Sequence, residues 1–194
     1  MLFSDHGERW EKDSHGHHDN VYDDTIRVPL IVIGDGVKRG LKIKKQIRTI
    51  DITPTVAKIL SIKGNNFDGK NIFPLNSLSS RDAIGEIWSS KNVENIKKIM
   101  HKAKDGGKLQ TSDLKTKGFL WKEYIRTEKY KLVNYYDGNN KKTVVFNIID
   151  GIDQIALRIP NKTINSLQNK LTAYRTVKSE RSVVGSRELK NKAS

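Results

Sequence analysis

The sequence predicts an α/β chain in which a mixed sheet with flanking helices is followed by a small antiparallel sheet and a C-terminal helix. Residues 28–33 form a continuous apolar run that ends at Gly34 and contains β-branched side chains, which is typical of a strand buried on both faces. Residues 53–60 carry a helix-start signal and an apolar face. Between residues 124 and 159, apolar segments alternate with turn residues, which indicates an antiparallel meander.

The first helix is predicted to start with Thr53 as its N-cap and Pro54 at its first helical position. A short β-like segment follows at residues 83–88, and residues 91–104 have the apolar stripe of an amphipathic helix. Gly106 and its neighbours end that pattern, and the arrangement of apolar and polar residues is different after them.

The C-terminal part is predicted to contain a hairpin in which residues 132–136 meet residues 143–149 across the turn at 137–140. A last helix, capped by Asn161, repeats its apolar residues at helical spacing up to Tyr174. The polar and basic residues after it have little to bury and predict a disordered tail. The predicted domains are therefore 1–120, 121–175 and a basic tail over 176–194.

The charge is distributed unevenly along the 194 residues, whose net charge is +14. Residues 1–24 hold seven acidic side chains against two basic ones, and the other 170 residues hold 34 basic against 15 acidic. An acidic, histidine-rich end suits a cation site, while a basic remainder suits an anionic partner or a solvated, lysine-rich surface. The absence of cysteine excludes a disulfide framework and a thiolate metal site.

Two neighbouring segments near the N-terminus could carry chemistry. Asp5 and His6 lie between a short apolar run and Gly7, and together they offer two metal ligands from one turn. About ten residues later, a histidine-rich loop runs from His15 to His18 and leads into residues 21–32.

The order of these motifs resembles the sulfatases of the alkaline phosphatase superfamily. The family has a strand ending in Ser-Asp-His-Gly-Glu, matched here at residues 4–8, and a histidine-bearing loop leading to Tyr-Asp-Glu-x-x-Arg-Val-Pro-Leu-Ile-Val, similar to residues 22–32. The likeness continues at the Asp-x-x-Pro-Thr segment of residues 51–55 and at residues 67–75. Residues 125–132 resemble a late Ile-Arg-Thr-x-x-Tyr-Lys strand. The resemblance implies the C-terminal part of an alkaline-phosphatase-like mixed sheet, followed by the small antiparallel sheet and helix.

The resemblance also implies roles for particular residues. Asp5 and His6 would belong to a four-ligand site for Ca²⁺ or Mn²⁺, with Mg²⁺ as a further option. A loop histidine would contact the sulfate and protonate the leaving oxygen, and the register points to His18, with His17 next. His15 and Lys12 are the candidates for binding the anionic ester. By contrast, we interpret three aspartates as structural: Asp23 and Asp24, which follow the loop, and Asp51.

The chain departs from the family in one important respect, because it lacks the cysteine or serine motif that becomes the formylglycine nucleophile. We therefore expect a fragment of a sulfuric ester hydrolase that is inactive alone and whose N-terminal half is a missing partner. A phosphate or phosphonate ester hydrolase of the same superfamily is one alternative, and a non-catalytic basic binding module is another. Neither a signal peptide nor a membrane-spanning run is visible, which predicts a cytoplasmic location if the chain is complete.

Overall fold

The fold is known from a computed structural model that describes residues 1–11, 14–16, 20–64, 66–90, 119–137, 140–149, 152–156 and 158–191. Contacts divide the chain into two compact units, Met1–Ile155 and Ala156–Ser194. The described part is mixed α/β, as the sequence predicts, and contains a five-stranded antiparallel sheet and a C-terminal helix.

The five-stranded sheet is a simple meander in which each strand pairs with the next along the chain. Its strands are β5 (Ala83–Ser90), β6 (Phe119–Arg126), β7 (Tyr130–Asp137), β8 (Asn140–Ile149) and β9 (Ile152–Ile155). The predicted hairpin is confirmed, since Leu132 faces Val145 and Tyr136 faces Lys141 across the β7–β8 pair. The β-like segment predicted near residue 83 is the edge strand β5.

One face of this sheet forms the core of the first unit. Val133 of β7 and Phe146 of β8 are buried together with Val21, which precedes the short helix α1 (Asp23–Ile26). Successive side chains of a strand point to opposite faces, so alternate residues of neighbouring strands meet on the same side. Partly buried side chains pack around these three residues: Tyr22, Ile87, Tyr124, Tyr135 and Val144. The segment that enters α1 is thereby fixed to the sheet.

The prediction of a strand buried on both faces at residues 28–33 is wrong. In the structure the strand is the two-residue β4 (Leu30–Ile31), and its antiparallel partner is β1 (Leu2–Phe3). Ile31 is 50% exposed and Ile33 is 85% exposed. A strand is buried on both faces only when other strands flank it and helices cover it. Among the described residues, β1 is the only strand that pairs with β4.

The first long helix begins slightly earlier than predicted. A 3₁₀ turn at Thr49–Asp51 leads directly into α2 (Ile52–Ile59), so Asp51 rather than Thr53 holds the N-cap position. Pro54 is still tolerated because it lies in the first turn, where a backbone N–H has no intrahelical partner. Asp51 organises this entry as a structural residue: its carboxylate accepts a hydrogen bond from the backbone N–H of Arg48 at 3.0 Å.

The second unit contains the helix α3 (Asn161–Asn191), which begins where the sequence predicts it. Its backbone is helical through Asn191, and so it differs from the disordered tail predicted after residue 175. Lysine, arginine, glutamate and serine are compatible with a helix even without an apolar face, because helical hydrogen bonds are local. The helix predicted at residues 91–104 lies outside the described residues. No helix in the described part is long and apolar enough to cross a membrane.

Candidate metal site

The predicted metal ligands lie in a tight turn directly after β1. Ser4 donates a hydrogen bond from Oγ to the His6 carbonyl at 2.6 Å, and the His6 backbone N–H donates to Asp5 Oδ1 at 2.9 Å. These two bonds hold the Asp5 and His6 side chains on the same side of the turn. As a result, Asp5 Oδ2 and His6 Nε2 are 3.7 Å apart.

The distance between Asp5 Oδ2 and His6 Nε2 is compatible with a cation shared by both atoms. At bond lengths of ~2.3–2.6 Å, two adjacent ligands of one Ca²⁺ ion lie roughly 3–4 Å apart. His6 Nδ1 lies 3.0 Å from the Gly7 carbonyl, a hydrogen bond that needs the proton on Nδ1. That tautomer leaves a lone pair on Nε2, the ring atom that lies 3.7 Å from Asp5 Oδ2, and a backbone carbonyl as the partner of the other ring nitrogen.

The charge state of Asp5 also suits a cation. The hydrogen bond from the His6 backbone, followed by the nearby imidazole, lowers the pKa of Asp5 below its ordinary value. The Asp5 side chain is 86% exposed, so an ion could reach it from solvent. Within the described residues, no cluster of three or more His, Asp or Glu side chains that could hold a metal ion occurs.

The turn is attached to the start of α1 by backbone contacts. The Gly7 N–H donates to the Thr25 carbonyl at 2.8 Å, and a Cβ at Gly7 would lie 2.0 Å from the Asp24 carbonyl oxygen. Only glycine therefore allows the two segments to approach this closely. Arg9 adds a second link through a 2.8 Å ion pair to Asp24. This pair joins the segment before the histidine loop to the helix that follows the loop.

A buried cluster of four charged side chains joins α1 to the five-stranded sheet. Arg126 of β6 donates to both carboxylate oxygens of Asp23, at 2.9 Å and 3.0 Å from Nε. Lys131 of β7 is fully buried, and its Nζ donates to the Val21 carbonyl at 2.7 Å and to Asp23 Oδ1 at 3.1 Å. Lys131 also contacts Asp153 of β9. Two cations and two carboxylates thus neutralise one another away from water.

The pKa values of the two aspartates of this cluster are shifted in opposite directions. Burial favours the neutral form of both, and it raises the pKa of Asp153 above its usual value. For Asp23, the hydrogen bonds and charges of Arg126 and Lys131 outweigh burial and lower the pKa. Lys131 and Asp153 were missed as important residues by sequence reasoning. The Ile-Arg-Thr-x-x-Tyr-Lys segment contains Arg126 and Lys131, but no sequence pattern connects it to an aspartate 22 residues later.

The structure places the other predicted site residues only in part. His15 is in β3 (Ser14–Gly16), and its backbone pairs with Trp10 of β2 (Arg9–Glu11). Lys12, His17 and His18 lie outside the described residues, so their catalytic and substrate-binding roles stay predictions. The structure brings Asp5 and His6 together, and the contacts around Gly7 and Asp24 fix both ends of the loop that carries the histidines.

Comparison with known proteins gives matches to one family. The sequence model of the family described as Sulfatase matches residues 1–62. Human arylsulfatase K is 26% identical over 172 residues, which cover 87% of this chain and 29% of the human protein. Arylsulfatase K of Xenopus laevis is 25% identical over 88% of the chain, and that of Rattus norvegicus is 31% identical over 40% of the chain. The chain spans about 29% of the length of the first of these relatives. No solved structure matches.

Proposed function

Because the Sulfatase family model matches residues 1–62 and human arylsulfatase K is similar over 87% of the chain, we propose that the chain belongs to the sulfatase family and forms part of a metal-dependent sulfuric ester hydrolase, to which it contributes the metal ligands Asp5 and His6. The observation that carries the proposal is the 3.7 Å separation of Asp5 Oδ2 and His6 Nε2 in an exposed turn. The carboxylate oxygen suits Ca²⁺ or Mn²⁺, with Mg²⁺ as a further option, and the imidazole nitrogen favours Mn²⁺ among them.

The remaining groups of the reaction would come from elsewhere. A bound divalent cation would neutralise negative charge on the sulfate oxygens of the ester. We assign protonation of the leaving oxygen to His18, with His17 as the neighbouring choice, and contact with the sulfate to His15 and Lys12. The nucleophile would be supplied by residues that the 194-residue sequence does not contain, since it lacks the cysteine or serine motif. The other metal ligands would likewise come from outside this sequence.

In this proposal the turn after β1 binds the metal, and the five-stranded sheet supports that turn. The turn after β1 holds the ligands, and Gly7 and Arg9 attach that turn to α1. The Asp23, Arg126 and Lys131 contacts then fix α1 to the five-stranded sheet. The sheet would thus act as the rigid support that keeps the ligand pair and the histidine loop in register.

Manganese titration of the ¹⁵N-labelled chain tests the metal site. We expect paramagnetic broadening to begin at the amides of His6 and Gly7, with a dissociation constant of about 10⁻⁴ M or weaker, because two ligands make an incomplete site. Asp5→Asn should remove the effect. Asp35→Asn, a change of an exposed aspartate in a loop, is the matched control and should leave it unchanged. Broadening that survives Asp5→Asn would place the ion elsewhere.

A further inference from the structure

The loop between β4 and the 3₁₀ turn carries the densest group of exposed cations in the described part of the first unit. Lys38, Arg39, Lys42 and Lys44 are all exposed, and no carboxylate within the described residues pairs with any of them. The next cation along the chain, Lys45, differs because it pairs with Glu128 at 3.6 Å. Uncompensated charge of one sign on a surface raises the local concentration of oppositely charged ligands. We call these four side chains the basic loop.

The basic loop borders a wide cleft of the first unit. Its volume is about 1260 Å³, and all four side chains line it. Arg27 and Arg126 also line it, whereas its acidic lining consists of Asp35 and Glu128. A cleft with an excess of cations on its wall can follow an extended anion over several charges, which a flat surface cannot do. The predicted metal ligands Asp5 and His6 do not line this cleft.

We propose that the basic loop is a secondary binding surface for a sulfated polysaccharide, outside the turn that holds the metal ligands. The choice of polymer rests on the proposed function, since a sulfatase acts on sulfate esters and a polymeric ester would carry several sulfates at once. Four cations in seven consecutive positions can contact several sulfates of one chain at the same time. A small aryl ester would gain nothing from such a surface.

The lining of the cleft favours a polysaccharide over a nucleic acid. Proteins that bind single-stranded nucleic acid place aromatic rings against successive bases, and each stacked base contributes about 1–3 kcal/mol. The residues that line this cleft include no phenylalanine, tyrosine or tryptophan. Its non-polar lining is aliphatic, as at Val37, Leu41 and Ile43. The surface therefore provides charge without a stacking platform.

Fluorescence anisotropy with a labelled sulfated heparin oligosaccharide tests the proposal on the monomeric 194-residue chain. The measurement is made with EDTA present, so it does not depend on the metal site. The test variant carries Lys38→Gln, Arg39→Gln, Lys42→Gln and Lys44→Gln. The matched control carries the same loss of four charges at exposed lysines outside the cleft, namely Lys58→Gln, Lys63→Gln, Lys70→Gln and Lys142→Gln. Circular dichroism confirms that both variants fold.

We expect the test variant to bind at least tenfold more weakly at an ionic strength of about 0.15 M, while the control changes by less than about threefold. The slope of log affinity against log salt should fall by about 3 for the test variant, as the loss of four charge contacts implies. Equal weakening in both variants would overturn the proposal, because it would show a response to net charge alone. A single-stranded DNA of equal charge that binds as tightly, with the same dependence on the basic loop, would also overturn it. Loss of manganese binding at Asp5 would leave this result unaffected and would count only against the proposed function.

Discussion

Lys131 and Asp23 form a buried ion pair in which the lysine Nζ lies 3.1 Å from Oδ1 of the aspartate. The same Nζ contacts Asp153, so one ammonium group is shared between two carboxylates from different parts of the chain. Arg126 supplies the second positive charge. The arrangement fixes α1 to the sheet, and removal of any one charge leaves another buried without compensation.

Replacing the buried lysine should therefore cost much more than replacing an exposed one. We expect Lys131→Met to lower the free energy of unfolding by about 3–5 kcal/mol, because Asp23 and Asp153 would then face each other with one cation fewer. Urea unfolding measures the change. Lys142→Met, an exposed position on the adjacent strand β8, is the control and should change the free energy by less than about 0.5 kcal/mol. Similar small values for both would mean that the lysine is not held as described.

Asp51 should give the protein a distinct pH dependence of stability. Burial alone would raise its pKa, but hydrogen bonds from Arg48 and from the Lys70 N–H, together with Arg81, lower the pKa below 3.8. A carboxyl whose folded-state pKa is lowered stabilises the protein above its unfolded-state pKa of about 4, and this contribution is lost as the pH falls through the folded-state pKa. The difference in unfolding free energy between the natural chain and Asp51→Asn should thus be constant above about pH 5 and shrink below about pH 4.

The control for Asp51→Asn is an aspartate whose carboxyl lacks the hydrogen bonds and ion pairs of Asp51. Asp35 lies exposed in the loop after β4, and Asp35→Asn should give a difference near zero across the same pH range. A pH-independent difference for Asp51→Asn would show that the side chain acts through packing or neutral hydrogen bonds rather than through its charge.

The close contact at Gly7 should be essential for the metal turn. A Cβ there would overlap the Asp24 carbonyl oxygen at 2.0 Å, so Gly7→Ala must push the turn away from α1. We expect the manganese affinity to fall by at least tenfold, a loss of about 1.4 kcal/mol in binding free energy. Gly64→Ala is the control, because a Cβ there would make ordinary contacts with the Phe67 ring at 3.5 Å and 3.6 Å. Unchanged manganese affinity in Gly7→Ala would show that metal binding by Asp5 and His6 does not depend on the close contact between Gly7 and Asp24.

The sequence predicts local features of the fold well and remote contacts poorly. The hairpin at Asp137 and the helix beginning at Asn161 follow from turn and capping signals that act over a few residues. Asp5 and His6 could likewise be identified as candidate metal ligands, because they are adjacent in the sequence. The apolar run at residues 28–33 misled the prediction, because an apolar strand becomes buried only if other elements cover it.

The buried cluster shows why the rest of the site could not be predicted. Asp23, Lys131 and Asp153 come together only because β7 and β9 lie near the start of α1 in three dimensions. The separations of 108 residues between Asp23 and Lys131 and of 22 residues between Lys131 and Asp153 have no periodic signature. A lysine within an apolar strand was the available hint, since lysine is almost never fully buried unless it is paired.

The assignment of the leaving-group acid can be tested in a complete sulfatase that carries this segment. We expect His18→Ala to lower turnover by about 10² to 10⁴, the usual contribution of a positioned acid–base group. Esters with good leaving groups should lose less, because their leaving oxygen needs little protonation. His17→Ala is the adjacent control with the smaller expected effect. If His17→Ala is the damaging change and His18→Ala is silent, the register is wrong by one residue.

The 194-residue chain by itself should hydrolyse neither sulfate nor phosphate esters. Covalent sulfate transfer needs an activated nucleophile beside the metal, and the sequence contains neither the cysteine nor the serine motif from which the formylglycine of the sulfatases forms. A metal-bound hydroxide could replace that nucleophile only in a closed site with enough ligands, whereas Asp5 and His6 lie in an exposed turn and form no cluster with a third ligand among the described residues. We therefore expect no turnover of an aryl sulfate or an aryl phosphate with Mn²⁺ or Ca²⁺ present. Metal-dependent turnover by the purified monomer, abolished by Asp5→Ala and retained by Asp35→Ala, would show that the chain holds a complete active site.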